Sequence, residues 1–137
     1  MPQELPSLEA FLDAWEETPE RNRAAFLRLR AHLAAKPGVT LDFLPRSGVT
    51  YSLRARHANQ KERPLFAMVD VIEDQPRWLS VCFYSEMIDD ADERGDFVPG
   101  GLLGRDAACF DLEAFDEADL GYVEARMDEA YARAAGD

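Results

Sequence analysis

With 137 residues the chain has the length of one domain and needs no staple, since a chain of this size buries roughly two-thirds of its unfolded surface on folding. Its 27 acidic and 15 basic residues leave a formal net charge of -12, a field that repels phosphate backbones and counts against a nucleic-acid partner. A composition of 47% hydrophobic and 31% charged residues, with no apolar run near the ~20 residues of a membrane span, fits one globular domain over residues 1–137 and no membrane partner.

The opening stretch, MPQELPSLEAF, lacks the basic head and apolar run of a secretory signal, and Cys82 and Cys109 sit in apolar, strand-like runs. Together they predict a cytoplasmic protein with reduced, buried thiols. Leu8, Phe11, Leu12 and Trp15 recur at helical spacing behind Ser7, a suitable N-cap, and predict a first helix. In TPERNRAAFLRLRAHLAAKPG, Thr18 suits the cap of a second helix and Pro19 its first position, with Lys36, Pro37 and Gly38 as the stop. From Val39 the apolar period changes to two: Val39, Leu41 and Phe43 alternate with Thr40 and Asp42. PRSG turns the chain at residues 45–48, and GVTYSLRARH alternates again. PLFAMVDVIE and WLSVCFYSEMI read as strands split by DQPR. Asp89 to Asp106 reads as a long polar stretch, AACFDLE as a last strand, and Asp116 as the cap of a closing helix. The expected fold is α+β: an antiparallel meander sheet of about five strands, with an N-terminal helix pair and a C-terminal helix packed on one face.

Charge is spread unevenly along this layout. Residues 46–63 hold five cations and one acid, whereas residues 86–119 hold twelve acids and two cations. Arg54 and Arg56 share the polar side of a strand, so the register of that strand decides what they meet. Side chains alternate with period two, and apolar faces must match between neighbours. That condition sets Val71 opposite Leu79 and Val69 opposite Val81, and it places Tyr51 near Val69 and Leu53 near Ala67. The even-numbered residues then form rows of Thr50, Asp70 and Ser80, of Ser52, Met68 and Cys82, and of Arg54, Phe66 and Tyr84. Arg54 is expected to stack beside aromatic rings. Three readings of this face stay open: a half-solvated sheet surface, a shallow ligand cleft, and a dimer interface carrying Phe66, Met68, Ile72 and Trp78.

The chemical motifs are weaker. Placing Asp90 first in a calcium loop puts Asp92 third and Gly95 sixth, but Arg94 stands fifth and Gly101 twelfth, so the bidentate carboxylate is missing. A loose divalent-cation site on Asp90 and Asp92 stays open beside the plainer reading, a solvated acidic loop. PGGLLGRD, residues 99–106, lacks the Lys and Ser/Thr of a phosphate loop and reads as a loop or lid. His32 and His57 have no matched carboxylate spacing, and no nucleophile elbow occurs. Asp70, inside an apolar strand, is the best single candidate for a perturbed carboxylate.

The order of elements resembles that of the YdhG-like family of small bacterial domains. FLDAWEETPERNRAAFLRLRAHLAAKPG carries the helical lead-in, PRSGVTYSLRAR through RWLSVCFYS the meander, and AACFDLEAFDEADLGYVEARMDEAY the last strand and closing helix. The resemblance implies, through relatives described as frataxin-like iron chaperones, a link to iron.

These readings favour a non-catalytic small-molecule or protein-binding module that uses one mixed polar and aromatic sheet face: Ser52, Arg54, Arg56, Phe66, Asp70, Ser80 and Tyr84. The alternatives are a homodimeric interaction protein and an acidic iron-handling protein with Asp90 and Asp92 as ligands. No cofactor is expected beyond iron or another divalent cation in the last case. Enzyme activity ranks last, since no acid–base pair or nucleophile stands out.

Overall fold

The computed structural model describes residues 7–137. Along the chain run α1 (Leu8–Ala14), α2 (Asn22–Ala34), β1 (Val39–Arg46), β2 (Thr50–His57), β3 (Ala67–Ile72), β4 (Trp78–Tyr84), β5 (Asp96–Leu102), β6 (Arg105–Leu112) and α3 (Glu117–Ala135), with one short 3-10 turn at Ser85–Met87. The strands form one antiparallel sheet in the order β1-β2-β3-β4-β6-β5. The expected α+β meander with helices at both ends is present, with six strands instead of about five. No helix among the described residues is long and apolar enough to cross a membrane.

The caps are mostly those the sequence supplies. Ser7 Oγ accepts from Ala10 N at 3.1 Å, and Asp116 accepts from Asp119 N at 2.9 Å, each satisfying an amide that the helix itself leaves free. The start of α2 differs. Thr18 and Pro19 lie in a turn before it, and the helix begins at Asn22 because the Glu17 carboxylate reaches across to Arg23 N at 3.1 Å and Ala24 N at 2.8 Å. An anionic cap at this positive end does the work expected of Thr18.

The odd-numbered residues of β2, β3 and β4 (Leu53, Val69, Val71, Leu79, Val81, Phe83) are fully buried in one core with Phe26, Leu29, Leu120, Val123 and Met127 of the helices. α1 joins this side through Phe11, whose ring stacks on Tyr51 at 4.3 Å. Asn22 ties two loops to α2 by donating to the carbonyls of Arg77 (2.7 Å) and Glu113 (2.9 Å).

Four expectations are corrected. First, the β3–β4 register is as expected, with Val71 opposite Leu79 and Val69 opposite Val81, but β2 is slipped by two residues against β3. Tyr51 faces Val71 and Leu53 faces Val69, so the rows are Ser52, Asp70 and Ser80, then Arg54, Met68 and Cys82. A two-residue slip keeps every side chain on its own face, so hydrophobic alternation cannot detect it. Second, Phe66 lies just before β3 and turns to the helices, 5.9 Å from the Tyr131 ring, so Arg54 does not stand between Phe66 and Tyr84. Third, the polar stretch from Asp89 to Asp106 contains β5, an exposed edge strand that shows no apolar alternation because neither of its faces is fully covered. Fourth, Cys82 and Cys109 face each other on β4 and β6 and are joined as a disulfide instead of standing as free thiols.

Candidate functional site

The even-numbered face is not a flat, open surface. The ladder between β5 and β6 shifts between Val98 and Leu102, where the chain runs Pro99, Gly100, Gly101. Gly100 has φ +64°, and a Cβ on Gly101 would lie 2.5 Å from Val98 Cγ1, so this irregular segment requires glycine. At the hairpin tip that follows, Leu102 and Leu103 border the same cavity as Leu44 and Arg46 of β1. Since β1 and β5 are the two edges of the sheet, the even face is curled between them, and Leu102, Tyr84, Leu65 and Ala107 are buried on it.

Inside this curl is a cavity of about 470 Å³ lined by residues of β1, β2, β3 and the hairpin tip. That volume lies in the range of small-molecule sites. Its floor is read directly from the ladder. The central row runs Leu44, Ser52, Asp70; one row to one side runs Arg46 and Thr50, and one row to the other runs Asp42, Arg54 and Met68. Neighbouring rows are about 7 Å apart at strand geometry, so the two arginines flank the Ser52–Asp70 pair.

The polar groups here are sparsely satisfied. Arg54 Nε donates to Ser52 Oγ at 3.2 Å, and Arg46 donates through Nε and Nη2 to Thr50 Oγ1 at 3.1 and 2.8 Å. Among the described residues neither arginine forms an ion pair. Asp42, the strand partner of Arg54, gives its carboxylate to Arg56 Nε at 2.8 Å. Asp70 Oδ1 is closed off from solvent and has no hydrogen-bond donor among the described residues. Burial pushes the Asp70 acid pKa up, against the opposing pull of a Ser52 hydrogen bond and of the Arg54 and Arg46 charges.

The rim is apolar. Leu44 is 45% exposed and Leu103 is 55% exposed, and both border the cavity. Leu103 also holds φ +50°, followed by Gly104 at φ +85°. These are the two central residues of the hairpin turn between Leu102 and Arg105, whose twist requires positive φ at both; a leucine there costs roughly 1–2 kcal/mol.

Of the residues expected on this face, the structure brings Ser52, Arg54 and Asp70 together at the cavity. Arg56 is drawn away to Asp42, and Phe66 faces the helices. Ser80 continues the Asp70 row toward Asp111, its Oγ 3.7 Å from Cys82 Sγ, outside the cavity lining. Tyr84 is buried beyond the Arg54 row, with its hydroxyl unpartnered among the described residues and its acid pKa raised by that burial.

The acidic loop has a different use for its carboxylates. Asp90 accepts from Arg94 N at 3.0 Å, from Gly95 N at 2.9 Å and from the Tyr122 hydroxyl. Asp92 meets that hydroxyl through its backbone N–H. Among the described residues no group of three or more His, Cys, Asp or Glu side chains is arranged to hold a metal ion. Arg46 and Leu103 were the residues that sequence reading passed over. Arg46 continues the Asp42, Leu44 alternation one step into what reads as a turn, and that period was the available signal.

No protein-family model, curated protein or solved structure matches the chain.

Proposed function

We propose that this domain is a small-molecule-binding module whose ligand lies in the curled face, between the β1–β3 floor and the tip of the β5–β6 hairpin. The observation that carries this reading is the combination, at one cavity of about 470 Å³, of two arginines that form no ion pair and a buried carboxylate oxygen without a donor, each among the described residues. Arg46 is exposed and Arg54 half-buried; Asp70 Oδ1 is the buried group, and buried polar groups are normally paired, so one left over is expected to have a use. Exposed leucines on the same rim supply the apolar contact that a small ligand needs. Binding is favoured over catalysis because both histidines are engaged elsewhere: His32 bonds Asp128 at 2.8 Å, and His57 packs on Tyr131.

Met68 stands beside Arg54 on the cavity floor, so Met68→Trp fills the space while every polar residue of the site is kept. Compounds that stabilise the wild-type protein in a thermal screen are expected to lose that effect in the filled variant. A ligand at a hundred times its Kd adds about 2.7 kcal/mol, well above detection. Stabilisation that persists unchanged in a folded Met68→Trp protein overturns the assignment of this cavity.

A further inference from the structure

Resting on that ligand-site reading, we infer that the occupant is a small monocarboxylate with an apolar body, its carboxylate held between Arg46 and Arg54. Three observations converge on this class. Arg54 spends only its Nε on Ser52, and both Nη groups have no protein acceptor among the described residues; Arg46 spends its Nε and one Nη on Thr50. A guanidinium with free N–H groups in a fixed plane matches a carboxylate by paired hydrogen bonds. Among the described residues neither arginine forms an ion pair, although Asp70 lies in the row between them; Arg46 is exposed and Arg54 half-buried, so their remaining N–H groups are open to an acid that comes from outside.

The charge count limits the ligand to one negative charge. Two arginines and Asp70 leave the cavity at +1, which a monoanion cancels and a dianion reverses. Asp70 sits in the row between the arginines, so a second negative charge on the ligand would face its carboxylate directly. Burial already disfavours the charged form of Asp70, and an anion nearby adds to that cost. Leu44, Met68 and Leu103 line the rest of the space and suit a hydrocarbon or aromatic body.

The test is a chemical-shift titration of the full chain with four probes of one size: phenylacetate, methyl phenylacetate, phenyl phosphate and phenethylamine. Phenylacetate is expected to move the amide signals of Arg46, Thr50, Arg54 and Asp70 and to bind at least 10-fold tighter than its methyl ester or the amine. Arg54→Ala and Arg46→Ala should each weaken phenylacetate about 10-fold, the scale of one charge-assisted hydrogen-bonded contact, with Arg54→Lys in between. Asp70→Asn should raise the affinity of both anions, and that of phenyl phosphate by the larger factor, since it brings the larger negative charge toward that row. If the methyl ester binds these residues as tightly as the acid, the anion assignment is wrong and the ligand-site reading survives. If wild-type protein prefers phenyl phosphate, the single-charge count is wrong. If no probe moves any of these signals, both the class and the site fall.

Discussion

On the helix side of the sheet, Arg28 bonds Glu117 at 2.7 Å and Glu124 at 2.8 Å, while Asp128 takes both His32 and Lys36. On the opposite side, among the described residues, Arg46 and Arg54 meet only hydroxyls, and Asp70 has an oxygen with no donor. The same fold therefore treats charge in two ways. Where α2 packs on α3, each of these side chains closes a contact between elements and helps to hold the fold. In the curled face, groups of the same kinds are positioned but left with free valence. The contrast is one of degree, since Asn22 Oδ1 at the start of α2 is also buried without a donor among the described residues.

Substitutions can break that contrast, and the largest effect belongs to the helix side. Phe83→Ala empties a fully buried site in the helix-side core and is expected to cost about 3–5 kcal/mol. Met68→Ala, on the cavity floor, should cost under about 1 kcal/mol, since space already adjoins it. Urea unfolding of the pair checks both, and equal losses would erase the distinction between the two faces. Arg28→Ala, which removes the two-carboxylate clasp of α3, is expected to cost about 1–2 kcal/mol by the same measurement. Leu103→Gly should do the reverse at the hairpin tip. It relieves the left-handed backbone and raises stability by about 1 kcal/mol, yet it weakens phenylacetate binding because the rim loses its apolar wall. A variant that gains neither stability nor loses affinity would show that the leucine is idle.

The smallest effects lie in pH dependence, and there the two faces carry opposite signs. Burial alone would raise the Asp128 pKa, but hydrogen bonds from Lys36 and His32 outweigh it and hold the group below its ordinary 3.8. Its stabilising contribution is therefore present above the unfolded pKa and lost as pH falls through the folded one. Asp70 is pushed above 3.8 by burial, so the folded state keeps that proton longer. The stability it contributes is present below 3.8 and declines as pH rises through the folded pKa. Thermal midpoints followed from acid to neutral pH should show Asp128→Asn flattening the acid limb and Asp70→Asn removing part of the decline toward neutrality. Asp111, also raised by burial and by Asp96 and Glu113, leaves the remainder of that decline in place.

Much of the fold can be read from local pattern, and the failures share a cause. Period and caps locate α1, α3 and the four strands from Val39 to Tyr84, and parity with loop length sets β3 against β4 correctly. Parity says nothing about a shift of two, and the β2–β3 loop is closed by contacts no pattern displays: His57 N to Gln60 Oε1 at 2.9 Å and Gln60 Nε2 to the Leu65 carbonyl at 2.8 Å. That slip put Asp70 beside Ser52, while Phe66 left the polar face because β3 begins only at Ala67. β5 escaped notice because an exposed edge strand needs no alternation. The site was legible in Ser52, Arg54 and Asp70, which share one parity. Arg46 and Leu103 were not, because their place depends on how far β1 extends and on the glycine-dependent path of a hairpin from the far edge.

The central claim is that the charged groups of the curled face are held for a ligand and not for the fold. The unfolding free energy of the Arg46→Ala/Arg54→Ala double variant, measured by urea denaturation at neutral pH against the wild-type protein, tests it without any ligand. The expected loss is under about 1 kcal/mol, because only partly exposed hydrogen bonds to Thr50 and Ser52 and a screened attraction to Asp70 are removed. A loss of about 2 kcal/mol or more would contradict it, because the two arginines would then be holding the sheet together.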